Sequence, residues 1–165
     1  MNRIAATVLF SFVMLTSASL AKTFSLPEDK PVATFTIPDA WEPNDYDVGV
    51  EATSEDGNFY IAFETLDKKD SKEATRAAML WFAAQGVTLD PQSMTSDEIV
   101  FSGAPALAVS FKGRDEDGPT NVRMLIVATN KDQRFLMIYA SGSDQADKVN
   151  GKAIDQILGS VKLIK

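Results

Sequence analysis

The stretch Arg134 to Ala140 constrains the fold more than any other part of this chain. At a strand's period of two, Phe135, Met137 and Tyr139 point one way and Leu136, Ile138 and Ala140 the other, so both faces are apolar. A strand of that kind is stable only inside a sheet covered on both sides, because a wet face would carry polar residues at alternate positions. Met124, Ile126 and Ala128 against Leu125 and Val127 repeat the pattern. Two neighbouring central strands are the direct expectation, with other strands on either side of them.

The flanking segments supply those strands. Val32 to Ile37 alternates and is stopped by Pro38. Val48 to Ser54 and Asn58 to Leu66 flank Glu55-Asp56-Gly57, where Asp-Gly signals a hairpin. Asp97 to Phe101, Ala106 to Lys112 and Asn121 to Thr129 read as further strands, separated by turns rich in Gly, Pro and Asp. Lys22 to Lys30 reads as a polar lead-in, and Asp39 to Asp45 as a turn-rich segment. Ser71 or Asp70 caps a helix that continues through good helix formers to Gly86. Asp144 to about Val161 spaces Ala146, Val149, Ala153, Ile154, Ile157 and Val161 on one helical face. The fold class expected is α+β: a mostly antiparallel sheet of about six or seven strands with helices on both faces, an α/β/α sandwich. Val32 to Ile37 or Val48 to Ser54 is expected near an edge of that sheet.

Residues 1 to 21 have the organisation of a cleavable secretory signal. Arg3 precedes an apolar run from Ile4 to Leu15, and Ser19-Leu20-Ala21 is a small-residue exit. The run is short of the roughly 20 residues that cross a hydrocarbon core. No Cys is present to carry the lipid of a lipoprotein. Two segments follow: a signal at 1–21 and a single globular domain at 22–165, exported to the periplasm or secreted, with no membrane anchor. The whole sequence carries a formal net charge of -7. An anionic surface repels phosphate backbones, which argues against a nucleic-acid partner.

Residue types that are missing exclude much chemistry. With no His and no Cys in its 165 residues, the chain has no Ser-His or Cys-His nucleophile system and no imidazole- or thiolate-bound metal. No glycine-rich phosphate loop and no Ser-x-x-Lys arrangement occurs. No catalytic residue, metal site or cofactor is assigned. Carboxylates remain, densest at Asp45 with Asp47 and at Asp115-Glu116-Asp117, both in turn-like segments where acids are ordinarily solvated. Asp45-x-Asp47-x-Gly49 echoes the opening of a calcium loop, but Val50 and Asp56 stand where that loop needs Gly and Glu.

Aromatic residues mark the candidate contacts. Ala77 to Ala84 is an unbroken apolar run within one helix. Leu80, Trp81 and Phe82 fan over a wide arc at about 100° per residue and cannot all face one sheet. Either the loop from Val87 to Met94 or the lead-in folds over them, or Trp81 or Phe82 joins an exposed patch that meets a partner or ligand. Trp41, which follows a strand-ending proline, poses the same choice between a plug on the core's rim and a contact residue. The candidate binding residues are therefore Trp41, Trp81 and Phe82.

Phe35-Thr36-Ile37-Pro38-Asp39-Ala40-Trp41, a strand closed by proline and followed by tryptophan, resembles the start of the PsbP-like superfamily. The later order is similar too: hairpin, helix, Gly103-Ala104-Pro105-Ala106, a long hairpin ending in Phe135 to Tyr139, and a final helix leading to Ile157-Leu158-Gly159-Ser160-Val161. The resemblance spans about residues 30 to 163. It implies an α/β/α sandwich and binding or accessory roles, since that superfamily includes extrinsic photosystem II subunits, bacterial exported proteins and a nuclear protein that binds the Ran GTPase. Histidine metal sites of some relatives have no counterpart here.

Three functions are in play on these grounds. The first is a non-catalytic exported binding or accessory protein with a protein partner. The second is a carboxylate-dependent hydrolase of envelope polysaccharide, which needs two acids converging in a pocket. The third is a carrier of a small apolar ligand, with a cavity lined by Phe59, Ile61, Phe63, Leu80 and Trp81.

Overall fold

The computed structural model describes residues 20–67, 71–129 and 134–164. The expected signal, up to residue 19, and Asp70 as a helix cap lie outside the described residues.

Among the described residues, eleven strands and two helices follow one another. They are β1 (Ala21–Leu26), β2 (Ala33–Pro38), β3 (Asn44–Tyr46), β4 (Gly49–Thr53), β5 (Phe59–Asp67), α1 (Ser71–Ala84), β6 (Thr88–Leu89), β7 (Thr95–Phe101), β8 (Ala104–Asp115), β9 (Gly118–Ala128), β10 (Arg134–Gly142), α2 (Asp144–Gly159) and β11 (Lys162–Leu163). Short 3-10 turns occupy Asp39–Trp41 and Pro91–Ser93.

The large sheet has eight strands in the order β3-β4-β5-β10-β9-β8-β6, with β7 also paired to β8. Every pairing in it is antiparallel. β10 and β9 are central, as their doubly apolar pattern requires. β1, β2 and β11 form a separate three-stranded sheet in the order β1-β2-β11. This makes the protein α+β, with two antiparallel sheets and two helices.

Tight turns set the hairpin registers. Ser102 and Gly103 both take positive φ (49° and 82°), the two-residue geometry that suits the twist of β7 and β8. Asp115 Oδ1 accepts from the backbone N–H of Asp117 and of Gly118, each at 3.0 Å, and so closes the β8–β9 turn. Ser143 caps α2, its hydroxyl accepting from the Ala146 N–H at 3.2 Å.

Three of the expectations are corrected here. The main sheet has eight strands where about six or seven were expected, the short β3 and β6 adding to it at its ends. The helices do not form a layer on each face of one sheet. α1 covers one face, packing Ala74, Ala78 and Phe82 against Val109, Val122, Met124 and Tyr139. The opposite face is covered chiefly by the second sheet, with Phe35 of β2 stacked on Phe63 of β5 at 3.9 Å between centroids. α2 lies alongside that small sheet, Ala146 and Ile157 joining the same cluster. Nor is the lead-in irregular: β1 pairs along its whole length with β2 and buries Phe24 and Leu26. Consequently Val32 to Ile37 is no edge of the large sheet; β2 is the middle of the small one. β3 lies outside β4 in the large sheet.

Candidate functional site

The side of the large sheet beneath α1 carries an unusual row of polar side chains. Tyr46 pairs with Gly49, and Gly49 with Glu64, so the three stand abreast on β3, β4 and β5. A Cβ on Gly49 would lie 2.1 Å from the Phe63 carbonyl oxygen, so only glycine allows this approach. Across the gap the Tyr46 hydroxyl donates to Glu64 Oε1 at 2.5 Å. From the other side Tyr139 donates to Oε2 at 3.2 Å. Glu64 is only 4% exposed, and these two phenols are its hydrogen-bond donors among the described residues. Two residues beyond Gly49 on β4, Glu51 accepts at Oε2 from the Tyr60 hydroxyl at 2.9 Å and at Oε1 from Asn44 Nδ2 at 3.4 Å.

Burial, followed by the neighbouring carboxylates, pushes the phenols of Tyr46, Tyr60 and Tyr139 well above the ordinary tyrosine range. They stay neutral donors at any physiological pH. Their hydrogens compensate the burial of Glu64, where a cation would otherwise be required.

Trp81 lies over this layer. Its ring stacks on Tyr139 (5.3 Å) and on Tyr60 (5.8 Å), with Phe82 edge-on at 5.0 Å. Beside it opens a cavity of about 360 Å³. Trp81, Phe82 and the chain from Gln85 to Val87 form one wall, at the carboxyl end of α1. Tyr60, Glu51 and Ser141 form the floor, and the Asp115-Glu116-Asp117 turn supplies the rim. Four carboxylate residues and two polarised aromatic faces thus meet with no Lys or Arg among the described lining residues. α1 itself has no basic residue in its last turn, so the negative end of its dipole adds to the field. Chemically, the cavity suits an ammonium or guanidinium group laid on the tryptophan and tyrosine rings.

The three sequence candidates do not come together. Phe82 is buried against Tyr139, and Trp81 is half-buried at the cavity wall. Trp41 lies on the other side of the sheet, buried against Phe59 at 6.0 Å in the core shared with β2. Leu80 is 64% exposed on α1 beside Trp81. Phe59, Ile61 and Phe63 face away from Trp81 into the filled apolar cluster, so the five residues proposed for an apolar carrier line no common cavity. Sequence reasoning missed Tyr46, Glu51, Tyr60, Glu64 and Tyr139. The polar Glu64 between Ala62 and Leu66, at an inward position of a strand beside the central one, is the signal that marks them.

Of the acidic pairs, Asp45 and Asp47 line a wider groove of about 750 Å³ between β1 and the β3–β4 hairpin. Asp45 is paired there with Lys22 at 3.1 Å. The described residues contain no grouping of three His, Cys, Asp or Glu fit to hold a metal ion. No described helix is long and apolar enough to cross a membrane.

This arrangement of an eight-stranded antiparallel sheet, a smaller sheet and two helices is the PsbP-like fold. Among solved structures the chain is similar to CyanoP, the cyanobacterial PsbP of Synechocystis sp. PCC 6803, with a TM-score of 0.59 and 13% identity over 92% of this chain and 96% of that one. It is likewise similar to LpqN of Mycobacterium tuberculosis, a protein involved in cell envelope biogenesis, at a TM-score of 0.54 and 12% identity over 88% and 92% of the two chains. The Ran-binding protein Mog1p of Saccharomyces cerevisiae follows at 0.53 and 12%, over 90% and 97%. No protein-family model and no curated protein sequence matches the chain.

Proposed function

We propose that this protein is an exported, non-catalytic binding or accessory protein that works by contact with another protein through the carboxyl-terminal half of α1. The observation that carries this reading is the pairing of exposed Leu80 and half-buried Trp81 with an aromatic and acidic cavity. A rigid aromatic anchor ringed by polar residues is how protein interfaces concentrate their affinity. The acids add selectivity for a partner that presents Lys or Arg at the centre of its contact. A fold shared with a Ran-binding protein and with one involved in cell envelope biogenesis supports a binding role in an exported setting. The signal-like organisation of residues 1–21 supports a role in the periplasm or outside the cell.

The test is a photo-crosslinking residue at position 80 in the exporting cell. A reproducible adduct with one protein, lost on Trp81→Ala and weakened by reversing the acids of the Asp115–Asp117 turn, is expected. Absence of any adduct across growth conditions, or one indifferent to both changes, overturns the reading.

A second reading has one observation in its favour: Glu51 and the Asp115–Asp117 turn converge on the same cavity, as a carboxylate hydrolase of envelope polysaccharide requires. Glu51→Gln separates the two. It abolishes turnover in a hydrolase and leaves an adduct with a protein partner in place.

A further inference from the structure

A second surface, on the far side of the large sheet from β3, is built to receive a polypeptide strand. β7 pairs only with β8, so its outer edge is unpaired among the described residues. All of its residues but the last are exposed. Val100 is 77% exposed and Ile99 40%, an unusual cost for a strand that shields nothing.

The register shows what lies beside them. Val100 pairs with Pro105, and Phe135 with Ala128, and these four line one shallow apolar cleft of about 580 Å³ together with Leu107. An added strand would extend that cleft. Asp97 and Glu98 stand just before Ile99 and Val100 and project to opposite faces.

Acids on an edge commonly protect it from other edges. A second copy of this chain is disfavoured in this way, because the full-length antiparallel register of β7 on itself sets Glu98 against Glu98. The same two charges are complementary to a strand with basic residues at those positions. Protection alone would not leave Ile99 and Val100 uncovered beside an apolar cleft.

We propose that the outer edge of β7 binds an extended segment of a partner protein as an added antiparallel strand, with two apolar residues opposite Val100 and Ile99 followed by two basic residues opposite Glu98 and Asp97. Main-chain hydrogen bonds supply the affinity, and the two pairs of side chains fix register and choice. The proposal rests on the binding reading only in expecting a protein partner; its surface is separate from the Trp81 cavity.

The test uses purified protein and two capped peptides, one with a Val-Ile-Lys-Lys core and one with Val-Ile-Glu-Glu. Amide hydrogen exchange of β7 is the readout. The lysine peptide is expected to protect β7 amides, and the glutamate peptide to bind roughly tenfold more weakly. In Asp97→Lys with Glu98→Lys, both exposed positions, the preference should reverse. No protection of β7 by either peptide, equal protection by both, or protection that rises with protein concentration alone would overturn the proposal. The last outcome assigns the edge to a second copy. None of these readings depends on the crosslink at Leu80, so either surface can fail while the other stands.

Discussion

On the face of β5 turned toward the small sheet, Phe59, Ile61 and Phe63 are buried in an apolar cluster; on the face beneath α1, the alternating positions hold Tyr60, Ala62 and Glu64. One backbone serves both, and the same holds for β10, with Leu136 and Ile138 on one side and Tyr139 on the other. The apolar face is filled by a continuous stack of Phe24, Phe35 and Phe63, with centroids 5.7 and 3.9 Å apart. Dispersion and area burial hold it, and neither needs directional partners. The α1 face instead keeps a buried carboxylate that only properly placed phenols can tolerate. Buried polar groups of this kind are costly in stability unless fully satisfied. They lie beside the cavity walled by Trp81 and Phe82 and rimmed by the Asp115–Asp117 turn, the place of the proposed contact, whereas the other face holds the aromatic stack.

Truncation on the apolar face should have the largest effect. Phe63→Ala removes the β5 ring on which Phe35 stacks and leaves a cavity, and a loss of about 3–5 kcal/mol is expected from urea unfolding. A loss below about 1 kcal/mol would erase the contrast between the faces. On the α1 face, Tyr46→Phe keeps the ring and deletes only the donor to Glu64. The expected cost is about 1.5–3 kcal/mol, the range for a hydrogen bond to a charged group whose partner stays buried. No change would mean that the Glu64 carboxyl does not depend on this phenol.

How far the chain could be read in advance follows the same divide. β9 and β10 were legible because a strand apolar on both sides has few alternatives, α1 because a cap, good helix formers and Gly86 frame it, and α2 because its apolar residues keep helical spacing. β1 does alternate, burying Phe24 and Leu26 while Thr23 and Ser25 face out, but Pro27 and Pro31 nearby dominate a local reading. β3 has only three residues and exists through its pairing with β4. Trp81 and Phe82 stood out as part of an apolar run too wide for one helix face. The Glu64 cluster did not, because its donors are 18 and 75 residues away in sequence and meet it only through the pairing of β3 with β4 and of β10 with β5.

Alkaline pH should sharpen the comparison, because all three tyrosines of the chain lie on the α1 face. In the folded protein the phenols of Tyr46, Tyr60 and Tyr139 have pKa values raised above the ordinary 10.0. The unfolded chain therefore binds fewer protons once the pH passes that value, and the stability of the folded state falls as pH rises. Below it the contribution is fully present. Urea midpoints should be level up to about pH 9 and then decline, more shallowly in Tyr46→Phe. At the acid end Asp56 is opposite in sign. Hydrogen bonds from Ser54 and the Asn58 backbone are the main causes that lower its carboxyl from 3.8 to about 2, and that contribution is lost as pH falls through this range. A decline at high pH unaffected by removing Tyr46 would break the link between the phenols and the fold.

The smallest effect expected is a gain. Thr120 lies on β9 at an alternate position to Val122 and Met124, hence on the α1 side, and its hydroxyl is buried with no hydrogen-bond partner among the described residues. Its methyl group packs equally well in valine, and the substitution removes only the unsatisfied oxygen. Thr120→Val should therefore raise stability, by up to about 1 kcal/mol, where a comparable polar-to-apolar change at Tyr46 lowers it. The two phenotypes together separate polar groups that the α1 face has satisfied from one that it has not. If Thr120→Val instead destabilised the protein, its hydroxyl would have a partner in solution, and the α1 face would hold a second satisfied polar site beside Glu64.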